Sequence, residues 1–132
     1  MARVKSKNTS PELVVRRALH AAGVRFRLNV SMPGSPDIVL PSRRIAIFVH
    51  GCFWHRHPEC KRATTPQTNV DYWQRKFSRN VKRDIEVKLA IQQLGWQHLT
   101  IWECDTKLPE VLDSIIEHVK SAPKSDARLP KY

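Results

Sequence analysis

Of three cysteines and six histidines in 132 residues, two cysteines and three histidines fall in the stretch Ile45–Cys60, IAIFVHGCFWHRHPEC. Cys52, His57 and Cys60 carry soft or borderline donors at close spacing, and Cys104 follows a later apolar run. Three thiolates and one imidazole are a common structural zinc set, and this one uses every cysteine in the chain. An odd cysteine count in a chain without a secretory signal argues against a disulfide framework. The alternative is three buried thiols and a surface histidine.

The remaining histidines of the stretch, His50 and His55, have the chemistry of an acid–base pair near neutral pH. Upstream, Pro36-Asp37 opens a short apolar run after a turn. A carboxylate there can hold a divalent ion against a phosphate, as nucleases do. Pro-Asp alone is ordinary turn chemistry. The acid and lysine that nucleases usually carry on the next strand are absent, since that strand reads Phe48-Val49-His50. Phe53 and Trp54 lie between the two kinds of group, with Trp73 further on. Exposed aromatics beside basic residues suit stacking on bases or insertion between them. For Trp73 the core is an equal reading. Glu12 is explained by a helix cap, Asp84 by a solvated helix face and Glu103 by charge balance. His20, His98 and His118 have no constellation around them.

These groups need elements to hold them. Thr9 or Ser10 can cap a helix with Pro11 in its first turn, running to Gly23. Phe26–Val30 alternates as a half-buried strand does, and Met32–Pro36 is a turn. Asp37–Leu40 is a short strand, Pro41–Arg43 a turn and Ile45–Val49 a central strand, apolar throughout. After a polar loop, Asn69–Gly95 is helical, with Trp73, Phe77, Val81, Ile85 and Leu89 at every fourth residue and a break expected near Ser78. Trp96–Trp102 is a strand and Leu108–Ser121 the last helix. Residues 1–121 are expected to form one domain, and residues 122–132 a basic, frayed tail. The order predicts an α/β sandwich with a mixed sheet, because Trp96–Trp102 needs a crossover to rejoin the other strands.

A net charge of +11, from 23 Lys and Arg against 12 Asp and Glu, favours a polyanionic partner, nucleic acid first. No apolar run spans a membrane and the N-terminus has no signal-like core, so a cytoplasmic location is expected.

The sequence resembles the very short patch repair endonucleases. The matching stretches are Pro33–Leu40, Phe48–His55 (FVHGCFWH), Asn80–Asp84, Gly95-Trp96 and Trp102–Cys104, with the Pro11-Glu12 helix. The resemblance implies a restriction-endonuclease-like three-layer sandwich, a central mixed sheet flanked by helices with a structural zinc site. It implies a monomer that nicks one strand of double-stranded DNA on the 5′ side of the thymine in a T:G mismatch, the product of 5-methylcytosine deamination. It would work in the cytoplasm at the nucleoid, with other repair proteins as partners. Asp37 would bind magnesium through its carboxylate and Val49 through its backbone carbonyl. His55 would be the base, His50 would assist at the phosphate, and Glu12 and Asp84 would orient water or partner groups. Cys52, His57, Cys60 and Cys104 would hold zinc, while Phe53, Trp54 and Trp73 would wedge into the stack. Three departures stand out. Family members usually have residues before the position of Met1 that grip the minor groove. Ser35 stands where a basic residue is usual. The His57–Cys60 spacing is one residue longer than usual. A restriction-type nuclease with another target and a zinc-stabilised DNA-binding module remain as alternatives; intact Asp37, His50 and His55 argue against the second.

Overall fold

The structure, a computed structural model, describes residues 9–61 and 63–123. The first helix, α1 (Ser10–Ala21), starts at Thr9, whose hydroxyl accepts from the Glu12 backbone N–H at 3.4 Å. Pro11 sits in its first turn, where its missing N–H costs nothing. Val15 and Leu19 are fully buried on its inner face.

Two short strands follow, β1 (Ile38–Leu40) and β2 (Ile45–His50), paired antiparallel with Ile38 opposite Ile47 and Leu40 opposite Ile45. A single 3-10 turn, Pro41–Arg43, joins them, with Arg44 in the left-handed region at φ 53°. The long helix α2 (Val70–Gln93) crosses over to β3 (Gln97–Trp102), which pairs parallel with β2. The mixed sheet predicted from element order is therefore present, in the order β1-β2-β3. After a 3-10 turn at Glu103–Lys107 the last helix, α3 (Pro109–Ser121), closes the described chain. Residues 124–132 of the predicted tail lie outside the described residues.

Strand alternation splits the core into two layers. Ile38, Leu40, Ile45, Ile47 and Ile101 pack with Val15 and Leu19 of α1 and Ile116 and Val119 of α3. Val39, Ala46 and Phe48 point the other way, onto Met32, Ile91 and Trp96. Helices thus cover both faces of the sheet, a three-layer arrangement that fits the restriction-endonuclease-like fold.

Two expectations are corrected, a strand at Phe26–Val30 and a break near Ser78. Phe26–Val30 is not a strand: it makes one antiparallel bridge, Arg27 to Val39, and Asn29 at φ 57° turns the chain out of the extended conformation. The long helix does not break near Ser78. The every-fourth-residue stripe of this helix does not coincide with its buried face. Val81, Ile85 and Leu89 are 38%, 57% and 55% exposed, while Phe77 and Ile91 are buried. Each four-residue step advances about 40° around a helix, so such a stripe winds out of the core by its fourth step.

One turn matters for the site. Gly34 has φ 74°, and a Cβ there would overlap Val87 Cγ1 of α2 and stand 3.1 Å from the Phe48 ring. This close approach seats the turn that leads into Asp37. Gly34→Ala is expected to destabilise the fold by about 2–3 kcal/mol, from left-handed strain together with overpacking, read as a lower urea midpoint.

Candidate active site

One cleft of about 1160 Å³ is lined by Glu12, Asp37, Val49, His50, His55 and Asp84, together with Phe53, Trp54, Arg16, Arg83 and His98. The five residues singled out for chemistry come from five places in the chain. Glu12 is in the first turn of α1, Asp37 leads into β1, and His50 ends β2. His55 is in the following loop, and Asp84 lies midway along α2.

Asp37 is pinned at both ends. Its N–H donates to the Ile47 carbonyl at 3.0 Å, and its Oδ2 accepts from the Val49 N–H at 2.7 Å. Burial pushes its carboxyl up to about 6; the Val49 N–H pulls the other way, and the hydrogen-bonded Glu12 carboxyl raises it further. Glu12 is itself 3% exposed, and its Oε2 pairs with Arg16 at 2.8 Å. Two acids brought together in a half-buried cleft suit a hard dication, which would offset their mutual repulsion.

Across the cleft, Asp84 Oδ2 holds His55 Nδ1 at 2.7 Å. The His50 ring lies flat on His55, with centroids 3.9 Å apart and planes 7° from parallel. Burial lowers His50 to about 4, and its neighbour His55 adds to the effect, so His50 is neutral at physiological pH. His98 stacks on Phe48 with centroids at 4.5 Å and borders the same cleft.

Behind the histidines the four predicted zinc donors converge. Donor atoms of Cys52, His57, Cys60 and Cys104 all lie within 4.8 Å of one another. His57 Nδ1 is 3.4 Å from Cys104 Sγ and 3.7 Å from Cys52 Sγ. The sulfur–sulfur edge of a tetrahedral zinc–thiolate site is about 3.8 Å, so the donor set fits zinc in chemistry and in scale. Trp102 stacks on His57 at 4.2 Å and fixes its ring.

The three aromatics predicted to form a wedge also meet. Phe53 lies 5.1 Å from Trp54 and 5.9 Å from Trp73, and Trp54 lies 5.7 Å from Trp73. Phe53 and Trp54 line the cleft; Trp73 does not. Two aromatics not singled out from the sequence join this cluster, Tyr72 beside Trp73 and the buried Phe77 beside Phe53. Phe77 was legible as the helical neighbour of Trp73, but only in the apolar stripe. Asn80 Nδ2 donates to the Trp54 carbonyl at 3.2 Å and ties the loop to α2.

A family model described as DNA mismatch endonuclease Vsr matches residues 1–62. The type II nicking enzyme V.XorIIP of Xanthomonas oryzae pv. oryzae is 47% identical over 106 residues, 80% of this chain and 77% of that one. V.NmeAIP of Neisseria meningitidis, also a type II nicking enzyme, is 35% identical over 127 residues, 92% of this chain and 90% of that one. The DNA mismatch endonuclease Vsr of Escherichia coli is 38% identical over 105 residues, 79% and 67% of the two chains.

The chain belongs to the Vsr family of DNA endonucleases.

The Vsr family match takes in Glu12, Asp37, His50, His55 and the Cys52–Cys60 loop. The likeness to V.NmeAIP, at 92% of the chain, necessarily runs past Trp73, Asp84 and Cys104 as well. Among the described residues, no helix is long and apolar enough to cross a membrane.

Proposed function

We propose that this protein is a magnesium-dependent mismatch endonuclease that nicks one strand of duplex DNA on the 5′ side of the thymine in a T:G pair. In this reading the nick starts very short patch repair of deaminated 5-methylcytosine. The observation that carries it is the meeting, in one cleft, of a carboxylate pair, an acid-held histidine and an aromatic wedge. A DNA-binding module would need only the last of these. The enzyme acts as a monomeric single domain over residues 1–121, in the cytoplasm at the nucleoid, and its product passes to other repair proteins.

Asp37 and the Val49 carbonyl would hold magnesium, and Cys52, His57, Cys60 and Cys104 would hold zinc. Bound magnesium supplies positive charge beside the scissile phosphate. The rest is done by the chain. Asp84 takes the Nδ1 proton of His55 as a hydrogen bond, which leaves Nε2 as the nitrogen that accepts a proton from water. The imidazolium formed is stabilised by the Asp84 carboxylate 2.7 Å away. His50, neutral and stacked on His55, does not oppose that charge and can donate an N–H to the phosphate. Glu12 sets the charge around Asp37. The basic surface neutralises backbone phosphates, so binding weakens steeply with salt. Phe53, Trp54 and Trp73 insert beside the mismatch, where unstacking costs least.

His55→Ala is expected to lower kcat by about 10²–10⁴-fold with little change in DNA affinity. Asp84→Asn should lower it by about tenfold or more, because the tautomer is no longer set. Single-turnover nicking against filter binding checks both. Equal losses in binding and rate would remove His55 from the role of base.

A further inference from the structure

We infer that Arg56 is a positioning residue that holds the aromatic wedge in its inserting shape and so sets discrimination between mismatched and matched DNA. The inference rests on the mismatch reading above.

Arg56 lies between His55 and the zinc-set His57, but it does not line the cleft. Its guanidinium faces inward, across the loop. Nη1 donates to the Thr64 carbonyl at 2.8 Å and to the Phe53 carbonyl at 3.4 Å. Nη2 donates to the Ala63 carbonyl at 3.0 Å and to Thr65 Oγ1 at 3.3 Å. The same group sits over the Phe77 ring at 4.1 Å and 5.8 Å from the Phe53 ring centroid. One side chain thus joins three parts of the chain: the wedge loop at Phe53, the segment 63–65 that leads to α2, and α2 itself at Phe77.

The backbone agrees with this role. Arg56 has φ 53°, a left-handed conformation that an L side chain adopts at a cost. The fork of hydrogen bonds offsets that cost. Arginine is suited to it because a planar guanidinium presents several donors at fixed angles, whereas a lysine ammonium is one point charge on a flexible stem. Phe53 and Trp54 are only partly buried and lie in a turn, outside any helix or strand. A wedge that must be ordered on binding loses affinity to that ordering, and a pre-formed wedge does not. Arg56 therefore contributes to insertion rather than to hydrolysis.

The test uses the full chain, Arg56→Ala and Arg56→Lys, on T:G and T:A duplexes carrying 2-aminopurine beside the tested pair. Wild-type protein is expected to raise 2-aminopurine fluorescence on T:G, as unstacking does, and to nick that duplex. Both variants are expected to retain zinc and kcat within about threefold, to lose most of the fluorescence rise, and to raise KM for T:G about tenfold. Recovery of both readouts by Arg56→Lys would show that charge alone matters and overturn the role. So would a fluorescence rise in Arg56→Ala equal to wild type. Loss of zinc from Arg56→Lys would make Arg56 a scaffold of the metal loop, which also overturns it. Absence of nicking and of unstacking by the wild type itself would instead sink the mismatch reading, and this inference with it.

Discussion

Asp37→Asn is expected to nick T:G duplex about 1,000-fold more slowly than the parent while binding it as well, and to be more stable than the parent at pH 8. The rate loss follows from removing the carboxylate that would hold magnesium, a contribution of several kcal/mol to transition-state charge. The stability gain follows from linkage. Burial and Glu12 raise Asp37 from 3.8 to about 6, so ionising it is harder in the folded chain than in the unfolded one. The group therefore costs stability as pH rises from about 4 to about 6, and that cost persists above pH 6. The full shift would be worth about 3 kcal/mol; the side chain still meets solvent, so about 1 kcal/mol is expected. Asparagine keeps an oxygen for the Val49 N–H and removes the charge. In magnesium-free buffer its Tm should exceed the parent's by a few degrees at pH 8, and the gap should close below pH 4. A variant that gained neither stability nor a rate defect would remove Asp37 from the site. Opposite signs for function and stability are the mark of a group kept for chemistry.

Cys60→Ala is expected to lose zinc and, with it, the folded state of the loop and most of the domain's stability. With zinc bound, the four residues would join the loop after β2 to the turn after β3, segments 47 residues apart between His57 and Cys104. Structural zinc contributes on the order of 10 kcal/mol at neutral pH, which is as much as a domain's whole margin. Metal analysis by mass spectrometry together with near-ultraviolet dichroism reads both effects. A folded, zinc-free Cys60→Ala protein with native dichroism would show that the four residues are ordinary buried thiols and a histidine. Cys60→His, which replaces one zinc donor by another, should recover part of the metal.

Much of this was legible in the chain itself. Ile45–Val49 reads as a strand buried on both faces, and the structure places it at the centre of the sheet. The need for a crossover before Trp96–Trp102 gave the parallel pairing of β2 with β3. The Cys52, His57, Cys60 and Cys104 cluster could be read because a chain with three cysteines leaves few other combinations. Glu12 could not. A carboxylate in the first turn of a helix is explained by the cap, and only the packing of α1 turns it toward Asp37. Asp84 sits in a run of charges that reads as a solvated face until the loop after β2 brings His55 to it. The stripe on α2 marked the helix, which is present, but not its buried side, because a spacing of four does not say which side of a helix faces the core. Arg56 carries no signal in sequence, since an arginine beside a histidine is ordinary and only the fold shows three carbonyls meeting its fork.

The central claim is that the cleft cuts one strand at a T:G mismatch using magnesium held at Asp37. Its most direct test is a nicking assay on a duplex labelled on both strands and carrying one T:G pair, with and without magnesium. A T:A duplex and Asp37→Asn serve as controls. A single cut is expected, on the thymine strand at the 5′ side of the mismatch, only with magnesium and only with Asp37 intact. Equal cutting of the T:A duplex, or cutting of both strands, would contradict it.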